Sequence, residues 1–211
     1  MELNINFANK IGPYDMFLNK CAPGKFCHVE MSLEIDRGMF RVLVDSCIQD
    51  AFAPNTLQAI LTRTDKVDMK TLHVCFYIMW GGVVSVRFLH HLSEDELMQP
   101  PKEPLYETVR IPLNEDIMEK VVCYNLRQLG RPYDIPRAVC LLSLYTLRLH
   151  GAPDKFFCSQ LVMHTFKNCD LFTKSIEGQP NINHMTPSNV YDWLVKQPLT
   201  PEEEEESCAK E

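Results

Sequence analysis

An α+β domain, strands gathered in the first half and helices in the second, is what this sequence predicts, and three observations carry it. Runs rich in β-branched and aromatic residues, broken by turn residues, fill residues 26–111. From Asn114 onward the apolar residues instead recur at three- and four-residue spacing, between capping residues and glycine stops. The chain of 211 residues is 45% hydrophobic and 23% charged, the composition of an ordinary globular domain long enough to bury a core.

Taken in order, residues 26–35 and 39–46 read as the arms of a hairpin turning at Asp36-Arg37-Gly38. A second hairpin joins residues 72–80 to 83–92 through Gly81-Gly82, a pair that accepts positive φ in a tight turn. Residues 105–111 form a further strand. Asn114 then caps a helix whose apolar face carries Ile117, Val121, Tyr124 and Leu129 and which Gly130 stops. Asp134 and Pro136 open a helix over 135–150, ended by Gly151. Residues 159–169 carry a helical stripe of Leu161, Val162, Thr165, Phe166 and Cys169, and Ser188 caps a last helix through Tyr191, Trp193 and Leu194. The folded domain is expected over 1–197. Residues 198–211, with an unbroken acidic run from Glu202 to Glu206, are expected to be a disordered tail.

That tail holds six carboxylates against one lysine, −5 of the formal −7, which leaves about −2 for the body. With no basic cluster interleaved with aromatics, a nucleic-acid partner is not expected. Nine cysteines are scattered without a C-x-x-C pair, and residues 1–10 lack the apolar core of a signal peptide, so the expected setting is reducing and cytoplasmic. The apolar stretches fall short of the ~20 residues that span a bilayer. Neither H-E-x-x-H nor paired C-x-x-C spacing is present, and Cys27 and His28 point to opposite faces of a strand, so no metal and no cofactor are expected. G-x-x-x-x-G-K-[ST] and G-x-S-x-G are absent too.

Cys158, in Phe156-Phe157-Cys158-Ser159-Gln160, falls where Pro153-Asp154 gives way to the helical stripe. A sulfur in the first turn of a helix meets free N–H groups and the positive end of the macrodipole, which favour a thiolate and can hold an oxyanion. Its base must be one of seven histidines. His164 lies six residues on, about 600° around the helix, and is expected at the surface or in packing. His90 and His91 sit in a row at a strand end. His28 lies mid-strand among apolar neighbours, where an imidazole is costly without a partner. In the hairpin register that pairs Glu34 with Met39, Asp45 falls opposite His28 and can orient its ring. A loop one residue shorter sets Ser46 there, and Glu30 is a further candidate on the face of His28 itself.

Five pieces in order carry a resemblance over residues 10–195: Gly12-Pro13-Tyr14-Asp15-Met16-Phe17, His28-Val29-Glu30, Gly130-Arg131-Pro132-Tyr133-Asp134, Phe157-Cys158-Ser159-Gln160-Leu161-Val162 and Thr186-Pro187-Ser188. Together they resemble the circularly permuted NlpC-type papain-like proteins, most closely the YaeF/YiiX amidase group and its poxvirus relatives. In that family the histidine strand precedes the cysteine helix. Gln160 stands where glutamate is commoner, and residues 47–71 fall outside the resemblance.

The resemblance implies an antiparallel sheet or partial barrel packed against helices, with Cys158 as nucleophile at a helix N-terminus, His28 as base, and a third polar residue near Asp45. It implies a thiol hydrolase that cleaves an amide, peptide or isopeptide, through a thioester. The expected substrate is a peptide, protein or lipid amide. Lipid acyl hydrolysis or transfer on the same site is the alternative, as is a papain-like module that binds a partner without turnover.

Overall fold

The computed structural model describes residues 1–9, 24–88, 106–136, 138, 154–171, 181–182 and 185–196. It is α+β. Five antiparallel strands form one sheet: β1 (Glu2–Asn9), β2 (Phe26–Asp36), β3 (Thr71–Ile78), β4 (Val84–Phe88) and β5 (Tyr106–Pro112), in the spatial order β4-β3-β2-β1-β5. Among the described residues the helices are α1 (Arg37–Cys47), α2 (Pro54–Thr64), α3 (Glu115–Gln128), α4 (Cys158–Asn168) and α5 (Pro187–Lys196), with a short 3₁₀ turn at Ile48–Asp50. None is long and apolar enough to cross a membrane.

Strand alternation divides the sheet into two faces. Leu3, Ile5 and Phe7 of β1, Val29, Met31, Leu33 and Ile35 of β2, and Leu72, Val74, Phe76 and Ile78 of β3 line the apolar face and are fully buried in the core shared with α1, α3, α4 and α5. Asn6, His28, Glu30, Ser32, Cys75, Arg87 and Thr108 line the other face, where Asn6 donates to Ser32 and Thr108 donates to Asn6, each at 2.9 Å. Beside His28 the register slips. Ala8 faces His28 but Asn9 faces Phe26, so Cys27 is a bulged extra residue, and Phe26 turns into the core against Phe7 and Tyr191.

Residues 37–47 depart from the expected hairpin. They form α1, because the Asp36 carboxylate accepts from Met39 N (3.1 Å) as an N-cap and Phe40, Leu43, Val44 and Cys47 repeat at helical spacing on the buried side. Asp36-Arg37-Gly38 is therefore a helix start and not a turn. The neighbours of β2 are instead β1 and β3, and the Leu-Asn-Ile-Asn-Phe alternation of β1 seats it inside the sheet.

The later elements follow the sequence more closely. β3 and β4 pair as a hairpin with Gly81 at φ 71°, and Asn114 caps α3 by accepting from Ile117 N (2.9 Å). The cap of α5 is Thr186 and not Ser188: Thr186 Oγ1 accepts from Asn189 N (3.2 Å) and Asn189 Oδ1 accepts from Thr186 N (3.1 Å). Residues 135, 136 and 138 are helical. The rest of the helix expected over 135–150, residues 12–17, His90, His91 and the acidic tail lie outside the described residues.

Candidate active site

Three chain segments converge at one end of the sheet. β2 pairs with β3 only from Met31 onward, so residues 26–30 present a strand edge that β3 leaves open. Cys158 begins α4 against this edge, after Phe157 in extended conformation as N-cap, with no side chain capping the helix. Backbone hydrogen bonds from Val29 and Ser159 reach the Cys158 sulfur. The entry to α5 locks the two together: Ser159 Oγ donates to Met185 O (2.6 Å), while Ser188 Oγ accepts from Phe26 N (2.9 Å). Gly24, at φ 102°, allows that last approach, since a Cβ there would stand 2.3 Å from Ser188 Oγ.

The side chains of Cys158 and His28 share a hydrogen bond. His28 Nε2 lies 3.7 Å from Glu30 Oε2, an ion pair too long for a hydrogen bond, and among the described residues this nitrogen has no hydrogen-bond partner. Glu30 is only 4% exposed, and Arg87 Nη2 donates to both its oxygens, at 2.6 and 2.8 Å.

Charge follows geometry along this row. Burial is the strongest single influence on Cys158 and favours the thiol, but hydrogen bonding to His28, the imidazolium charge and the two backbone donors outweigh it and hold the thiol below its ordinary pKa. Burial likewise opposes charge on His28. The bond to Cys158 and the charges of Cys158 and Glu30 overcome it and raise the ring to about 9. Glu30 is held below the usual carboxylate range by His28 and Arg87, against its burial. The arrangement favours a thiolate beside an imidazolium, with a carboxylate next to the ring, the charge pattern that an attacking nucleophile and its acid would need.

Asp45, expected to orient His28, stands on the exposed side of α1, one helix away from the register that named it, and Ala8 occupies the position opposite His28. Ser46 is also on α1, its hydroxyl donating to Leu43 O (2.8 Å). Of the three residues considered for the third place, only Glu30 reaches the ring. His164 packs edge-on against Phe156, with ring centroids 5.4 Å apart. Arg87 went unrecognised in the sequence, because its approach to Glu30 crosses β3 and depends on strand order.

Next to the sulfur, the segment Gly130–Asp134 runs beside Phe156, with Tyr133 N donating to Gly82 O and Asp134 N to Phe156 O. Burial, then the charges of Cys158 and Asp134, push the Tyr133 phenol well above its ordinary pKa, so it is a neutral donor near the thiolate. Around this segment gather Phe52, Met79, Trp80, Val83 and Ile135, each 41 to 56% exposed. Trp80 stacks at 5.4 Å on Tyr133, Val83 bridges to Pro132, and Arg131 lies over Phe52. They form an apolar rim beside Tyr133. Among the described residues no disulfide joins the cysteines and no His/Cys/Asp/Glu group could hold a metal ion. Comparison with family models, with curated proteins and with solved structures finds no match.

Proposed function

We propose that this chain is a cysteine-dependent hydrolase of the permuted papain-like kind, cleaving an amide bond through a thioester on Cys158. The observation that carries the reading is the hydrogen-bonded pair of Cys158 and His28, with its thiol held low and its ring held high. In this reading the thiolate attacks the carbonyl carbon, and the first-turn N–H groups of α4 stabilise the oxyanion. The imidazolium gives its proton to the departing nitrogen, and the C–N bond breaks to leave an acyl thioester. His28, now neutral, takes a proton from water, hydroxide adds to the thioester, and the thiolate and imidazolium are restored. Glu30 takes the orienting role once expected of Asp45.

An amide is favoured over an ester by the acid. An amine leaves only when protonated, whereas an alkoxide or thiolate does not depend on it to the same degree, and His28 keeps its proton up to about pH 9. The apolar rim of Met79, Trp80, Val83 and Ile135 favours a second reading, in which the acyl group is that of a lipid.

Electrophilic probes carrying a peptide, a ubiquitin-like C-terminus or a fatty acyl chain separate these readings. Covalent labelling by the peptide or ubiquitin-like probe, abolished in Cys158→Ala, is the expected result. Labelling by the acyl probe alone favours the lipid reading. No labelling, with Cys158 no more reactive than the other cysteines, leaves a binding module.

A further inference from the structure

The carboxylate behind His28 is itself in an improbable place. Glu30 is 4% exposed on the interior of the sheet's polar face, where an isolated carboxylate would sooner take a proton than stay charged. What meets it is Arg87, from β4, two strands away. Its Nη2 donates to both Glu30 oxygens, its guanidinium lies 4.9 Å over the Tyr77 ring, and a hydrogen bond ties it to Tyr106 on the opposite edge strand. Cys75, in the strand between, adds a further hydrogen bond to Glu30. Its thiol, pushed up to about 12 chiefly by burial, remains a donor.

Three contacts thus fix one guanidinium where it can serve one carboxylate. A salt bridge kept only for stability has no need of a carboxylate at this depth, because burying a charge returns little over apolar packing, even with the Arg87 side chain itself 40% exposed. Broken on one side, however, it leaves a buried charge that neutralises itself, and a neutral Glu30 has nothing with which to hold an imidazolium.

We propose that Arg87 is a positioning residue for the Cys158–His28 pair, acting through Glu30 by keeping that carboxylate ionised and aimed at the ring. This rests on the hydrolase reading for its purpose, though not for its physics. Arg87 touches neither the sulfur nor the reacting carbonyl. Its effect travels by charge along Arg87, Glu30, His28 and Cys158, so removing it alters protonation first and rate second.

The test measures both. NMR titration of His28 in the full chain reads the ring, and the pH profile of Cys158 alkylation by iodoacetamide reads the thiol. In Arg87→Met the His28 pKa is expected to fall from about 9 toward 6.5, by about one unit or more, and alkylation at neutral pH to slow by about tenfold as the profile moves to higher pH. Arg87→Lys, which keeps the charge without the planar fork, should restore part of both shifts. In a Glu30→Gln background Arg87→Met should add nothing further. Arg110→Gln removes a cation from the same register row, paired with exposed Glu2, and should move neither readout.

A His28 pKa unchanged in folded Arg87→Met, or in Arg87→Lys and Arg87→Gln where Met does not fold, overturns the proposal. So does an Arg87 effect that persists in Glu30→Gln. Should the ring respond as expected while wild-type Cys158 alkylates no faster than its neighbours, Arg87 stands as the positioning residue and the hydrolase reading falls.

Discussion

Three groups bear on the proton shared by His28 and Cys158, and their balance sets the pH window of the site. The ring, raised from 6.5 to about 9, is protonated below that value; the thiol, lowered from its ordinary value, is ionised above its own. The ion pair therefore exists between the two, and the pair titrates as a unit. Alkylation of Cys158 is expected to reach half its maximum below the ordinary thiol value of about 8.5, and His28→Ala to move that midpoint up and slow the reaction at pH 7 by about tenfold or more. In the proposed hydrolase, turnover should decline as pH rises through about 9, where His28 would lose the proton it gives to the leaving amine. Mass-spectrometric peptide mapping over a pH series measures the first, and a discontinuous product assay the second. Replacing Asp45 by Asn should leave alkylation at the wild-type rate, because Asp45 is exposed on α1, while Glu30→Gln should slow it. The opposite pattern would restore the hairpin register that the sequence suggested.

Elements matter here mainly at their ends. β2 begins with a bulge at Cys27, α4 begins at Cys158, and α5 begins beside Ser188, so the site is a meeting of three starts. Gly24 leaves no room for a side chain in that meeting, since a Cβ there would run into Ser188. Gly24→Ala is expected to cost about 1–3 kcal/mol in urea unfolding, from a left-handed φ and a Cβ with no space, and to slow Cys158 alkylation by displacing the strand that carries His28. Unchanged stability would mean that Ser188 moves aside freely. At the start of α1, Asp36→Ala should cost about 1 kcal/mol through loss of the cap, with the site unaffected. The helix was concealed by its own residues. Met39-Phe40-Arg41-Val42-Leu43-Val44 is β-rich in composition, and only the buried positions Phe40, Leu43, Val44 and Cys47 reveal the helical period. Propensity suggested a strand, and packing against α2 and α3 overrode it.

At the scale of the whole molecule the sheet is the frame, and β1 is one of its inner strands, flanked by β2 and β5. Ile5→Ala, fully buried on β1, should destabilise by about 2–5 kcal/mol in denaturant, whereas Val42→Ala, exposed on α1, should change stability by less than about 0.5 kcal/mol. A small cost at Ile5 would mean that β1 pairs without contributing to the core.

By itself the sequence determined the α+β class, the β3–β4 hairpin, β5, and the capped helix α3, because periodicity, turn glycines and caps are properties of neighbouring residues. It also singled out Cys158 and His28 as the residues to watch. Strand order was decided elsewhere. Whether His28 faces Asp45 or Ala8, and whether Arg87 can reach Glu30 across β3, depends on which strands lie side by side. That is settled by long-range burial of Leu3, Ile5 and Phe7 against the helices, and no local pattern around residues 28, 30 or 87 encodes it.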